Sequence, residues 1–406
     1  MAALAFDFAA MQPPYWALAT TAEARLVLGD AAGAVQAYAA AAALAGGRYE
    51  QLASTRRQAR WLAAALGIEL DLEAALPAPP VLHWVAEPAL QRIAARPAAG
   101  FAFGAILSPA DIMVAEALLA AAAHLELVLP CAAAAWQRAL PADWARRFAS
   151  VCRRAAAVVP VTEEGDPREA TAGRLAVRQA HGAALLRAAA LEGAARQVRF
   201  GADGQLRDDG ADPADFALPD WADAHGEGRH ARALLFADVR GFSKLNEAAQ
   251  LVFLERVIGA FADTLAELGE AVDYAETAGD GLYVVLRDVV AAARGALALQ
   301  GVVQPARIAA MGLPAHLALR VGAHVGPVYR RYDRVIGRHR FCGTEVIRTA
   351  RIEPVTPAGT CYVTEQFAAA LQSAAPGRFA CNYVGRHKMA KGFGKCRFYA
   401  LREIFA

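Results

Sequence analysis

Cysteine is scarce in this chain of 406 residues. There are six, at 131, 152, 342, 361, 381 and 396, with no C-x-x-C pair and no histidine cluster beside them. That spacing argues against zinc and against a disulfide framework, and predicts reduced thiols in a cytoplasmic protein. An uninterrupted apolar run of about 20 residues, the length a membrane-spanning helix needs, is also missing. The most apolar long stretch, Met113 to Trp136, is interrupted by Glu116, His124, Glu126 and Pro130, so a soluble protein is expected. No basic residue precedes the apolar stretch at the N-terminus, and no signal peptide is expected. Charge of one sign is nearly absent in the balance: the formal net charge is +2, which speaks against a broad nucleic-acid-binding face. There is no G-x-G-x-x-G, so a dinucleotide fingerprint is excluded.

What is abundant is apolar material, 56% of the residues against 20% charged, much of it alanine. Alanine favours helix and buries little area per residue. Length alone suggests two or three domains at about 100–200 residues each. Residues 1–75 read as a helical segment and end in the Pro-rich stretch 76–80. Over 80–201 apolar runs alternate with helical ones. Strands are expected at 100–107, 125–130 and 157–161, and helices at 110–124, after the second strand through Arg154, and after the third through Ala190. That alternation predicts a parallel α/β sheet of Rossmann type. Residues 202–229, rich in Gly, Pro and Asp, read as a linker. From 230 to 406 the pattern changes again.

The chemistry concentrates there. Residues 233–239, ALLFADV, form an apolar strand ending in one acid, Asp238. Gly241, Phe242 and Ser243 follow and lead into a helix expected to reach Leu268. Glycine allows close backbone approach to a phosphate, and a helix start offers free N–H groups. A second strand over 271–277 meets Gly279-Asp280-Gly281, a hairpin turn signal, and a third returns over 282–286. Alone, each piece is an ordinary cap or turn. Together they place Asp238 and Asp280 at the ends of neighbouring strands beside a phosphate-friendly helix start. Two carboxylates holding magnesium against a triphosphate suit in-line phosphoryl chemistry.

Four stretches, FADVRGFSKL, ETAGDGLYVVL, LRVGAHVGPV and CGTEVIRTARIEP, resemble in order and spacing the class III adenylate/guanylate cyclase homology domain. The resemblance implies an α+β fold, a ferredoxin-like βααββαβ sheet with helices on one face, working as a head-to-tail homodimer. It implies conversion of a nucleoside triphosphate to a 3′,5′-cyclic nucleotide and pyrophosphate. It further implies two Mg²⁺ or Mn²⁺ ions held by Asp238, Asp280 and the backbone carbonyl of Val239, with the phosphates cradled by Gly241, Phe242 and Ser243. Arg351 matches the arginine that stabilises charge on the α-phosphate. Lys391 matches a lysine on the outer phosphates, with Lys388 and Lys395 close by. The base-selecting positions correspond to Glu276, an acceptor, and Arg340, which only donates. That pair is not an adenine signature. ATP is the substrate by family frequency, and GTP or a pyrimidine triphosphate stays open, as does an Arg340 that simply faces solvent.

The N-terminal half resembles a bacterial subgroup of these cyclases. Trp16, Leu26, Leu28, Gly29, Tyr38 and Ala39 resemble one tetratricopeptide unit. The run from Ala110 through LELVLP at 125–130 resembles the Rossmann-like sensor regions that accompany such units. A protein or small-molecule regulator there, or a plain helical hairpin and spacer, are both readings of these residues. One departure stands out: the family places an asparagine four residues before the arginine, and here that position is Ile347. Isoleucine cannot hydrogen-bond the ribose, so a slow enzyme or a catalytically inactive nucleotide-binding regulator are the two expectations it raises.

Overall fold

The computed structural model describes residues 14–94, 100–208 and 228–404. The first thirteen residues of the expected helical segment and most of the expected linker, 209–227, lie outside them. The chain opens with helices α1 (Pro14–Val27), α2 (Ala31–Ala45), α3 (Tyr49–Leu66) and the single turn α4 (Leu72–Ala75). Asp30 caps α2 by accepting from the N–H of Gly33, and left-handed Gly46 and Gly67 end α2 and α3. Tyr15, Leu26, Tyr38 and Leu52 form their shared core, while Leu28 is 83% exposed and packs into nothing.

The next sheet contains β1 (Val81–Ala86), β2 (Phe101–Ala105), β3 (His124–Leu129), β4 (Ala157–Pro160), β5 (Ala195–Phe200) and β6 (Leu206–Asp208). Their order is β4-β3-β2-β1-β5-β6, parallel except for the antiparallel β5–β6 edge. Helices α5 (Pro109–Ala120), α6 (Ala133–Ala139), α7 (Ala142–Arg154) and α8 (Ala170–Ala190) connect the strands. The single helix expected up to Arg154 is two, because Pro141 stands at the start of α7 and cannot continue α6. Strand β6 falls inside the stretch expected to be linker.

The second sheet begins with β7 (Arg229–Arg240). Then come a 3₁₀ turn (Phe242–Lys244), α9 (Glu247–Val252), a π-helical turn (Phe253–Val257) and α10 (Ile258–Glu267). The helix expected to reach Leu268 is thus interrupted by one wide turn, whose Phe253 is fully buried against Phe242, 4.8 Å between ring centres. Next are β8 (Val272–Ala278), β9 (Gly281–Leu286), α11 (Val289–Val302), α12 (Pro305–Ala310), β10 (Ala318–Asp333) and β11 (Arg338–Cys342). The chain ends with α13 (Thr344–Thr349), β12 (Cys361–Thr364), α14 (Glu365–Ala374), β13 (Phe379–Lys388) and β14 (Lys395–Glu403). The sheet order is β13-β14-β12-β10-β7-β9-β8, with β11 on β10, and only the β10–β12 pair is parallel.

Alternation along β7 and β10 divides the faces of this sheet. Ala233, Leu235, Ala237 and Val239, with Leu319, Val321, Ala323 and Val325, face the main core under α10, α11 and α14. Asp238, Arg320 and His324 therefore fall on the other face. Helices do not cover one face alone, as the resemblance implied: α13 lies on this second face. A Cβ at Gly326 would run into Glu345 of α13, and one at Gly322 into Ile352 and Glu353. Helix α8 touches both sheets. His181 Nδ1 lies 2.9 Å from Ser373 Oγ of α14, and a methyl on Gly182 would overlap the carbonyl of Ala369.

Candidate active site

Asp238 stands directly opposite Arg320 in the β7–β10 register. The two side chains meet, Arg320 Nη2 donating to Asp238 Oδ2 at 2.7 Å and Nε at 3.2 Å. Arg320 also pairs with Glu353. Asp280 occupies the β8–β9 turn, where Gly279 adopts φ +64°, a conformation glycine takes without strain. Burial pushes the Asp280 carboxyl above the usual range, and the neighbouring Asp238 adds to the shift. Burial likewise pushes Glu353 up to about 7, countered by Arg320. Three carboxylates therefore surround one guanidinium, and the site carries uncompensated negative charge.

That excess is what a hard divalent cation neutralises. Among the described residues no three His, Cys, Asp or Glu side chains converge into a cage for a metal ion. Two adjacent carboxylates still fit Mg²⁺ or Mn²⁺, because magnesium takes one or two carboxylates plus substrate phosphates, not an all-protein shell. Val239 is 1% exposed and pairs in register with Leu319. Gly241, at φ +98°, turns the chain sharply after Arg240. Phe242 is half-buried, its ring 4.0 Å from where a Cβ on Gly279 would stand, while Ser243 is exposed. The Gly241 turn and the Asp280 turn are thus neighbours.

Glu276 and Arg340 also come together. Arg340 Nη2 donates to Glu276 Oε1 at 3.3 Å, its other nitrogen reaches Asp333 at 3.3 Å, and Tyr274 donates its hydroxyl to Glu276. Arg340 does not point freely into solvent. Arg351 and Lys391 are brought close by their backbones, since the Ala390 N–H donates to the Arg351 carbonyl at 3.1 Å. Lys391 is exposed and holds φ +56°, strained for a residue with a Cβ. Lys388 and Lys395 face each other across β13–β14. Among the described residues no hydrogen bond or ion pair joins Arg351 or Lys391 to either aspartate.

Ile347 is 48% exposed. Its neighbour Arg348 is engaged elsewhere: it donates to Glu345 at 2.9 Å and lies 5.7 Å over the Phe393 ring. Glu345, buried on α13, also meets His324 Nε2 at 2.8 Å, and His324 Nδ1 meets Thr364 Oγ1 at 2.9 Å. Sequence reasoning missed Arg320, Glu353 and this buried His324–Glu345–Arg348 set. A signal for Arg320 was present, as a lone arginine at an outward position of the strand antiparallel to the one bearing Asp238.

Residues 227–403 match the family described as the adenylate and guanylate cyclase catalytic domain. No curated protein is matched. Solved structures similar to the chain include the adenylyl cyclase CyaB from P. aeruginosa, 18% identical, covering 44% of this chain and 96% of that one, TM-score 0.39. The guanylate cyclase domain of RhGC from Catenaria anguillulae, in complex with GTP, is 18% identical, covering 44% and 100%, TM-score 0.38. The guanylyl cyclase Cya2 is 22% identical, covering 44% and 95%, TM-score 0.37. The family match covers the part of the chain that carries Asp238, Asp280 and Arg351.

Proposed function

We propose that this domain cyclises a nucleoside triphosphate to its 3′,5′-cyclic monophosphate with release of pyrophosphate, for intracellular signalling. The observation that carries the reading is the Asp238–Asp280 pair beside the Gly241 turn, inside the matched residues. Asp238, Asp280 and the Val239 carbonyl would hold two Mg²⁺ or Mn²⁺ ions. Bound there, the ions neutralise the triphosphate and lower the pKa of the ribose 3′-hydroxyl. Backbone N–H groups at Gly241, Phe242 and Ser243 hold the phosphates. Arg351 donates its planar fork to the α-phosphate as charge builds, and Lys391 meets the outer phosphates.

Among the described residues no hydrogen bond or ion pair joins Arg351 or Lys391 to the aspartates within one chain, in keeping with a site shared between two copies in a homodimer. Glu276 and Arg340 present an acceptor and a donor side by side to the base. ATP is the substrate by family frequency, with GTP or a pyrimidine triphosphate consistent with that pair. The helices of 14–75 and the parallel sheet of 81–208 fit a tetratricopeptide-like segment followed by a Rossmann-like regulatory domain in a cytoplasmic enzyme. No helix of the described residues is long and apolar enough to cross a membrane.

A catalytically inactive, nucleotide-binding regulator is the second reading, favoured by Ile347. Two facing carboxylates oppose it, because a decayed site has no physical need to keep like charges together. The test is product analysis of purified protein with each of the four ribonucleoside triphosphates, in Mg²⁺ and in Mn²⁺. A cyclic product from one of them supports the enzyme and names the base. Nucleotide binding without turnover in either metal would establish the inactive reading instead.

A further inference from the structure

A cavity of about 930 Å³ opens where α3, the β2–β3 part of the first sheet, α8 and the β13–β14 edge of the second sheet meet. Its size lies within the range of small-molecule sites. Phe103 and Phe379, both almost fully buried, supply apolar wall. Six charged side chains line it as well: Glu50 and Arg57 of α3, the latter paired with Glu192, and a cluster of Glu126, Glu365, Arg187 and Arg397. Arg187 donates to Glu126 Oε1 at 3.0 Å, Arg397 lies 3.6 Å from Glu126 Oε2, and Arg397 donates to Glu365 Oε1 at 2.8 Å. The Glu126 and Glu365 side chains are only 8% and 13% exposed. His124 is a fifth neighbour, 3.8 Å from Glu126.

Burying ions is costly, and packed apolar side chains hold an interface equally well. Two buried carboxylates held by two partly exposed guanidiniums around open volume therefore point to a ligand. A ligand of one charge would take a partner from two of the four and leave the rest unpaired. A ligand carrying both signs satisfies all four. We propose that this cavity is an effector site for a zwitterion with an apolar body, the chemistry shared by amino acids and short peptides. Its ammonium meets Glu126 and Glu365, its carboxylate meets Arg187 and Arg397, and its apolar part lies against Phe103 and Phe379.

A continuous set of bonds leads from this cavity to the catalytic residues. Glu365 is the first residue of α14, and Thr364 before it caps that helix by accepting from the Phe367 N–H. Thr364 is bonded to His324, His324 to Glu345, and Glu345 to Arg348 of α13, which leads directly into Arg351. Occupancy of the cavity is thereby felt at Arg351, and turnover responds. This deepens the regulatory reading of the N-terminal half and rests on it.

The test is isothermal calorimetry on the full chain. The probes are the proteinogenic amino acids, di- and tripeptides with apolar side chains, and, as half-charged controls, phenethylamine and 3-phenylpropanoate beside phenylalanine. The amino-acid and peptide arms separate the two sources of the zwitterion. At least one zwitterion binds, and its amine-only and acid-only counterparts bind about tenfold more weakly or worse. Glu126→Gln weakens binding by a similar factor. Ser54→Trp, at an exposed position of α3 on the cavity lining, does so without touching the charged quartet or the fold. With saturating ligand, turnover changes at least about twofold. Absence of zwitterion binding, equal binding of the half-charged controls, or unchanged binding in Ser54→Trp would overturn the site. Binding with unaltered turnover would overturn its effector role. Calorimetry reads the cavity whether or not the chain cyclises anything, so failure of the site and failure of the catalytic reading are separate results.

Discussion

Two charged clusters in this chain use the same residue types in different proportions. On the second sheet, Asp238, Asp280 and Glu353 surround Arg320 alone. Between the sheets, Glu126 and Glu365 are matched by Arg187 and Arg397. The first is short of positive charge, and burial pushes its Asp280 and Glu353 carboxyls upward, as it does Glu365 of the second. The second is balanced and its ions hold one another. Proportion, more than residue identity, separates the proposed metal site from the proposed zwitterion site.

Removing a member of the unbalanced cluster should have the largest effect. Asp238→Ala or Asp280→Ala is expected to lower turnover by at least about 10³-fold. For Asp280→Ala the urea midpoint in metal-free buffer should hold or rise, because a like charge is gone, whereas Asp238→Ala also removes the partner of Arg320. A mutant with near wild-type turnover would refute the metal assignment. Glu345→Ala tests the buried, balanced kind of pairing. It strips His324 and Arg348 of their common partner, and a loss of about 3–5 kcal/mol in unfolding free energy is expected, read by denaturant titration. A loss below 1 kcal/mol would show that this set behaves like a surface pair.

The division of the site between chains can be read by mixing. An Asp280→Ala chain and an Arg351→Ala chain, each inactive, should recover about a quarter of wild-type turnover on subunit exchange, since half the dimers then hold one whole site of two. Exchange without recovery would place all groups in one chain. The smallest effect is expected at Ile347. Because that side chain is half-exposed, Ile347→Asn adds a donor without burying it, and kcat should rise a few-fold with KM little changed. A lower or unaltered kcat would mean that the pocket has been rebuilt around isoleucine.

Much of this was legible in the chain itself. Asp238 was marked by an apolar strand ending in a single acid, and Asp280 by a Gly-Asp-Gly turn between two strands. The parallel sheet of the first half showed in its alternating runs, but β1 and β5 did not. VLHWVA emerges directly from a Pro-rich stretch, and ARQVRF carries two arginines and a glutamine among its six residues. Arg320 and Glu353 escaped because their partners are 82 and 33 residues away, and only the β7–β10 register brings the first pair together. Glu126 was read as an interruption in an apolar run. Its partners Arg187 and Arg397 lie on elements that no local pattern connects to β3.

The crossing of α8 and α14 at Gly182 and Ala369 has a consequence for how the molecule folds. Ala176 and Ala180 of α8 belong to the same apolar core as Phe367 and Leu371 of α14, so one core runs through both halves. Neither half can expose that surface without losing contacts that the other half supplies. Heating should therefore give a single calorimetric transition for the whole chain, not one for each sheet, and a fragment starting at residue 228 should emerge with a bare apolar stripe along α14 and a tendency to self-associate through it.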